Sequence, residues 1–465
     1  RSAGADGEAK SPSVILSEAL SALPHLRRLN ALFVPPQAFA SAPDPAFELA
    51  ARSWRQDSPM LASLREVLGE REGFGPRLEA LERAGNRLPM RLESPVCIRD
   101  LMEGGQHVSA SQIETYHLCR FQYFCRYGLG ARERRPAEMN PLEYGSLMHY
   151  LLENTLKNEG SEKLAAMSGR GRKKLVAEYI EKYVEKKMGG KEGKSPRFNF
   201  LFDRLADSAQ VVIGHIAAEL TQSRFQPAEY ELELRPGGKY HPLRIPLPDG
   251  SSVSVEGKID RLDVLEKDGE TYLRVIDYKT GGKDFKLSDV LSGLNMQMLL
   301  YLAAVIESAG AEPAGVLYMP ASRPFVPARH SQSKEEIRRE AEKRLRMTGL
   351  VLDDPEIITA MEEKAEGKYI PVALKDGKPA RRDNVVDRHE MGRILGYIRK
   401  MAARMALTLR EGDVAADPLK GGRDACQYCP YFAICGHERD DGGRDLLQCG
   451  KAEALKRMEQ EDDDE

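Results

Sequence analysis

The stretch Ser252 to Lys279, SVSVEGKIDRLDVLEKDGETYLRVIDYK, constrains this chain most. Two β-rich runs flank Lys267-Asp268-Gly269-Glu270, and Asp-Gly between such runs specifies a two-residue hairpin turn. With Asp268 and Gly269 at the turn, Lys267 pairs with Glu270, and counting back along both strands sets Asp260 opposite Asp277. Directly opposed residues share a face, with β-carbons roughly 5 Å apart. The period of two brings Lys279 to that face as well. Two carboxylates and one ammonium therefore converge on one patch of sheet. Opposed like charges destabilise a sheet, and a divalent cation between them would remove the penalty. Taken alone, the hairpin reads as readily as a solvated one with outward charges, and a β-bulge would break the register.

The 465 residues are too many for one ordinary core, so two or three domains are expected. A hydrophobic fraction of 41% and a charged fraction of 30% describe a soluble globular chain. No apolar run approaches the length of a membrane span, and no signal peptide is recognisable, so the cytoplasm is the expected compartment and no membrane partner is expected. Residue 1 is Arg1, which suggests a piece of a longer chain. The net charge of −3 argues neither for nor against nucleic acid, but Arg132 to Arg135 and Arg170 to Lys174 are locally basic and Glu461 to Glu465 is acidic. The seven cysteines are an odd count, which in a cytoplasmic chain argues against a disulfide framework. Cys426-x2-Cys429-x5-Cys435 has ligand-like spacing but supplies three thiolates, where a tetrahedral sulfur site needs four.

Along the chain, residues 1 to about 105 show helical patterns at Ser17–Leu32 and Met60–Ala84 but no complete core. From Ser109 the text SASQIETYHLCRFQYFCRYGL reads as an aromatic helix, with Ser111 and Glu114 as a capping box and Cys119 and Cys125 as the unusual residues. Asn140-Pro141 starts a second helix whose buried stripe is Leu147, Met148, Leu151, Leu152 and Thr155. His149 lies beside that stripe, four residues after Gly145; a lone His there is more often structural. Residues 160 to 226 read as further helices. Gly193-Lys194-Ser195 imitates a phosphate loop, but Met188 stands where its first glycine belongs and no strand precedes it, so no ATP site is expected. Glu229–Leu234 is a strand and the hairpin follows. Leu287–Ala309 is a helix carrying Gln297 and Tyr301 on one face. Gly315–Met319 is a short strand, 333–365 are charged helices, and Gly392–Glu411 is an amphipathic helix. Residues 441–465 read as a polar acidic tail without fixed structure. Helix, strand, hairpin, helix, strand makes a mixed α/β core.

Four motifs occur in one order: Gly145-x3-His149, Gly257-Lys258-Ile259-Asp260, Ile276-Asp277-Tyr278-Lys279-Thr280-Gly281 and Gln297-x3-Tyr301. Each is weak alone; together they resemble the RecB-like branch of the PD-(D/E)xK nuclease superfamily. One cysteine before the His helix and Cys-x2-Cys-x5-Cys after the core resemble its iron–sulfur subgroup, matched here by Cys119 with Cys426, Cys429 and Cys435. The pattern spans residues 109 to 435 and is similar to the nuclease region of the AddB family of bacterial helicase–nuclease subunits. Small CRISPR-associated nucleases share the motifs but are much shorter.

The resemblance implies a restriction-endonuclease-like α/β core, a central mixed sheet flanked by helices, over residues 109–440. Residues 1–108 would end a helicase-like region. It implies a Mg²⁺-dependent deoxyribonuclease, with an exonuclease expected, that processes double-strand breaks beside an AddA-type helicase–nuclease subunit. A stand-alone CRISPR-associated exonuclease and a DNA-binding scaffold without catalysis are the alternatives. His149, Asp260, Asp277 and the Tyr278 carbonyl would hold Mg²⁺, Lys279 would act on the attacking water, and Gln297 and Tyr301 would contact DNA or support the site. Spacing alone leaves Zn²⁺ and [4Fe–4S] open, and Cys125, Cys449 or His437 could replace a ligand; the resemblance implies [4Fe–4S].

Overall fold

The computed structural model describes residues 14–25, 34–54, 58–85, 90–102, 107–132, 141–190, 196–282, 284–327, 332–422, 424–437 and 441–463. Three residues of the basic run (133–135), the phosphate-loop imitation (193–195) and the last two residues of the acidic run lie outside them. The chain forms two compact units, Arg1–Pro89 and Met90–Glu465. The first holds helices Val14–Ala22, Pro43–Arg52, Pro59–Gly69 and Gly75–Gly85. Its core is small: Ala46, Ala50, Leu61, Leu64 and Leu68. The helical pattern at Met60–Ala84 is interrupted between Gly69 and Gly75, where Gly73 takes φ +82°. The boundary falls before residue 108, because residues from Met90 onward pack into the second unit: Leu92 N–H donates to Gly412 O at 2.8 Å.

The second unit is built on a mixed sheet. Its strands are β1 (His107–Ser109), β2 (Gln226–Leu234), β3 (Leu243–Pro246), β4 (Ser252–Lys267), β5 (Glu270–Lys279), β6 (Glu312–Pro320), β7 (Thr348–Leu352) and β8 (Val385–Val386). The order is β1-β4-β5-β6-β7-β8, with β2 and β3 also on β4. At 16 residues β4 is long enough to pair with β1 and β3 along its first half and with β2 and β5 along its second. The turn is the expected one. Asp268 and Gly269 have φ +53° and +82°, as a type I′ turn requires, and the rungs run from Lys267–Glu270 to Arg261–Ile276. Asp260 and Asp277 occupy the next position along that register.

Helices cover both faces. The main ones are α1 (Ala110–Leu118), α2 (Pro141–Glu159), α3 (Gly169–Met188), α4 (Pro196–Gln222), α5 (Gln297–Ala309), α6 (Lys334–Arg344), α7 (Arg388–Arg410) and α8 (Lys451–Asp463). On β5 the residues alternate, as a strand buried on both faces must. Leu273 and Val275 join the core made with α1, α5, α7 and α8; Tyr272, Ile276 and Tyr278 join the core made with α2, α3 and α4. Among the described residues no helix is long and apolar enough to cross a membrane.

Several local expectations are corrected. The described part of the expected structureless tail, residues 441–463, carries a helix: α8 packs on α7 and buries Ala454, Leu455 and Met458. Three apolar side chains on one stripe are enough to dock a helix that its composition makes look solvated. Ser109 and Gln112, rather than Ser111 and Glu114, form the capping box of α1. Leu287–Ala309 is two helices, Leu287–Leu291 and α5, separated by Gly293 at φ +77° and Asn295 at φ +56°. A side chain at Gly293 would meet His117 Cγ at 2.1 Å, so the break lets two segments approach closely. Within 333–365, Thr348–Leu352 is a strand, an apolar run too short for periodicity to assign.

Behind the sheet lie four ionic side chains with no solvent exposure. Arg261 Nη2 is 3.0 Å from Glu219 Oε2, and Arg274 Nη2 is 2.7 Å from Glu219 Oε1. Asp263 accepts from Arg261 Nη2 at 3.0 Å and from Arg274 Nε at 2.8 Å. Two guanidiniums against two carboxylates balance, so the quartet tolerates burial, whereas removing one member leaves an uncompensated buried charge. Glu219→Ala is therefore expected to lower unfolding free energy by about 3–5 kcal/mol, measured by denaturant titration. Arg388→Ala, which removes an exposed partner of Glu270, is expected to change little. Equal effects from the two would contradict this reading.

Candidate active site and cysteine centre

β4 changes the face it presents at Asp260. Val253, Val255 and Ile259 point into the α5 side core, and so does Leu262, a spacing of three where alternation allows two. β2 does the same at Glu231: Tyr230 packs on the α4 side, while Leu232 and Leu234 enter the α5 side. The rungs Tyr230–Arg261 and Leu232–Ile259 flank this point, so Glu231 stands across from Asp260. Glu231 has φ +50°, rare for a residue with a β-carbon, and such outliers gather at functional sites. Three carboxylates thus line up on neighbouring strands: Glu231 on β2, Asp260 on β4 and Asp277 on β5.

α2 brings His149 to this row. Its Nδ1 lies 3.2 Å from Asp260 Oδ1 and 3.4 Å from Glu231 Oε1, and its Nε2 donates to the Tyr278 carbonyl at 3.1 Å. One ligand atom each from His149, Glu231 and Asp260 lie within 4.8 Å of one another, a grouping able to hold a metal ion. Asp260 Oδ2 also accepts the Tyr278 N–H at 2.6 Å, so this carboxylate turns toward the β5 backbone. Asp277 falls outside the three-residue group and pairs with Lys279, Nζ to Oδ2 at 2.6 Å. Lys258 Nζ lies 2.6 Å from Glu231 Oε2.

α5 closes the site from the other side. Tyr301 crosses β4 where a β-carbon on Gly257 would come within 2.2 Å of its hydroxyl, which explains the glycine before Lys258. Burial pushes the Tyr301 phenol up to about 12; Gln297 hydrogen-bonds it, and Asp277 and Asp260 add to the rise. Asp260, Asp277, His149, Tyr278, Lys279, Gln297 and Tyr301 are thus contributed by two adjacent interior strands and two helices. Glu231 and Lys258 are members that the sequence did not single out. No tight turn joins β2 to β4, so counting from a turn could not reach Glu231.

The cysteines form a second centre. Cys119, Cys426, Cys429 and Cys435 line one small cavity with Phe432 and His437. Cys119 follows α1, and its neighbour Arg120 ties it to the C-terminal cysteine loop: N–H and Nε donate to Asp417 at 2.9 and 2.8 Å, with Asp413 as a further partner. Tyr431 Oη donates to Ala131 O at 2.6 Å. Burial raises the Cys119 thiol, while N–H groups of Gln122, Phe121 and Asp417 favour its thiolate. Burial pushes Cys125 and Cys426 up to about 11, and both feel Cys119, Cys429 and Cys435. Cys125 is thus near the centre without lining the cavity.

Burial alone would lower the His149 pKa, but hydrogen bonds and charge from Asp260 and Glu231 raise it to about 10. The interaction stabilises the fold fully below the unfolded value of about 6.5 and is lost as pH rises through 10. In EDTA-treated protein His149 is expected to stay protonated through neutral pH, read from its imidazole ¹⁵N shifts. Glu231→Gln removes one of two carboxylates and is expected to lower the midpoint by roughly 1–3 units. A wild-type midpoint near 6.5 would contradict the geometry.

Residues 107–436 match the family model described as the PD-(D/E)XK nuclease superfamily. Relatives named as ATP-dependent helicase/deoxyribonuclease subunits of the AddB type are similar over most of the chain. The one from Caldanaerobacter subterraneus subsp. tengcongensis is 35% identical over 362 residues, 76% of this chain and 31% of that protein. The one from Clostridium acetobutylicum is 32% identical over 351 residues, 72% of this chain and 30% of that protein. The one from Thermoanaerobacter sp. is 30% identical over 428 residues, 88% of this chain and 37% of that protein. The chain therefore spans about a third of the length of these curated relatives. With the carboxylate row and its lysine inside a matched region that takes in most of the sheet, the chain belongs to the PD-(D/E)XK nuclease superfamily.

Proposed function

We propose that this chain is the metal-dependent deoxyribonuclease part of a helicase–nuclease that processes DNA double-strand breaks. The observation that carries the reading is the row Glu231, Asp260, Asp277 with His149 at one end and Lys279 at the other. Phosphodiester hydrolysis needs an activated water and neutralised phosphate charge, and Mg²⁺ held by carboxylates supplies both. His149, Asp260, Asp277 and the Tyr278 carbonyl are its proposed holders, with Glu231 added by the geometry. Lys279, steadied by Asp277, is placed to orient the attacking water or to meet developing charge. Tyr301 and Gln297 support Asp260 and Asp277 or touch the strand. The names of the relatives support DNA as substrate and a helicase–nuclease subunit of the AddA type as partner.

The cysteine centre fits [4Fe–4S] on Cys119, Cys426, Cys429 and Cys435. The donor set is four thiols with N–H groups aimed at sulfur, His437 N lying 3.4 Å from Cys435 Sγ. Four thiols suit zinc as well as iron–sulfur; the family resemblance is what favours the cluster. Bound there, it would staple α1 to the segment after α7.

Two variants separate the centres. Asp277→Ala is expected to lose Mg²⁺-dependent cleavage while keeping colour, melting temperature and DNA binding. Cys119→Ser is expected to lose visible absorption and iron, and to melt lower, with weaker DNA binding, although the Arg120–Asp417 contacts remain. Near-wild-type cleavage by Asp277→Ala would sink the site. Unchanged colour in Cys119→Ser would make Cys125 the better ligand.

A further inference from the structure

Beside Lys279 the surface opens into a depression of about 320 Å³ lined by Lys279, Asp284, Tyr318, Lys343, Arg344 and Arg346. Lys343 and Arg344 end α6, and Arg346 follows within two residues. All three are exposed, and Lys343 and Arg346 make no ion pair among the described residues. Pro324 forms part of this depression and also of a second, larger one of about 800 Å³. The larger one is lined by Tyr144, Arg204, Asp207, Arg323 and Phe325. The two meet at Pro324, so a basic trough leads from Lys279 past it. Six cations and two carboxylates line it, Lys279 and Arg344 being paired with Asp277 and Glu340.

Phe325 lines the larger depression, next to Pro324, with 82% of its surface exposed. Its loop is nonetheless held. Arg344 Nη1 donates to the Phe325 carbonyl at 2.8 Å, and Arg323 N–H donates to Ser208 Oγ at 3.0 Å. An exposed ring on an anchored backbone, among cations spaced along a trough, is what a polyanion with stackable faces requires. We propose that this trough is the path of a single DNA strand at the nuclease site. In it Lys343 and Arg346 meet successive phosphates, Phe325 stacks on a base, and Arg344 positions the Phe325 loop. The inference rests on the nuclease reading above and adds the direction in which the strand runs from Lys279: toward α6 and α4. Charge favours a nucleic acid strand over an apolar protein segment, and the continuity with Lys279 favours the strand being cleaved.

The test is binding of a fluorescein-labelled 20-nucleotide oligo-dT in EDTA, by anisotropy across a salt series. Lys343→Glu/Arg346→Glu is expected to weaken binding at least tenfold. It is also expected to flatten the log–log salt slope by about 1.4, at roughly 0.7 for each single-strand phosphate no longer neutralised. Lys375→Glu/Lys378→Glu, the same charge change on a surface hairpin outside the trough, controls for net charge and is expected to leave the slope unchanged. Melting curves of both variants check that each is folded. Equal slopes for the two variants would overturn the proposal. Independently, an oligonucleotide carrying 5-iododeoxyuridine is expected to photo-crosslink to the peptide bearing Phe325, and crosslinking confined to peptides elsewhere would overturn it. Cleavage by the wild-type chain in Mg²⁺ judges the nuclease reading separately: cleavage together with equal slopes removes the trough alone.

Discussion

The buried quartet Glu219, Arg261, Asp263 and Arg274 is the interaction on which the rest of this structure depends. It joins α4 to both strands of the hairpin, and its Arg261 follows Asp260 directly in the chain. A one-residue slip in a strand exchanges its two faces. In this hairpin such a slip would carry a guanidinium away from Glu219 and leave charge buried without its partner, a cost of several kcal/mol. The Asp268-Gly269 turn and the quartet therefore specify the same register twice, once locally and once through α4. That redundancy lets the strands β2 and β4 depart from regular alternation at Glu231 and Asp260 without losing the pairing on either side.

The departure is where sequence reasoning was both right and incomplete. The pairing of the two hairpin strands, the two-residue turn and the register that sets Asp260 beside Asp277 follow from residues between 252 and 279 alone, because the turn chemistry is local. Cys-x2-Cys-x5-Cys and the position of His149 on its helix are equally local. Glu231 was out of reach, because β2 meets β4 across a connection that includes β3, and no short turn fixes their register. The period of two also assumes an unbroken strand, whereas β4 changes faces at the very residue that carries chemistry. The break before α5 has the same character. Gly293 permits contact with His117, a residue far away in sequence, and nothing in the surrounding helical pattern announces that contact.

The C-terminal residues teach a different lesson. Composition alone made them look solvated, since their charged residues outnumber their apolar ones. Docking needs only one stripe, and Ala454, Leu455 and Met458 supply it against the core that also holds α5 and α7. Sequence expectations based on averages fail where a few side chains decide the outcome. They succeed where one turn or one spacing carries the geometry.

The two centres have opposite demands, and the fold separates them. A hydrolytic metal site needs carboxylates that water and a phosphate can reach. A sulfur centre needs thiols withdrawn from solvent, and burial raises the Cys119 and Cys426 thiols above their ordinary values. The proposed hydrolytic site lies at the irregular rung between β2 and β4. The proposed sulfur centre lies where α1 ends and the segment after α7 returns, with Arg120 joined to Asp417 between them. α1 itself packs on the core beneath α5, the helix that sets Tyr301 over Gly257. A disturbance at Cys119 therefore has a packed route to the carboxylates through α1 and α5.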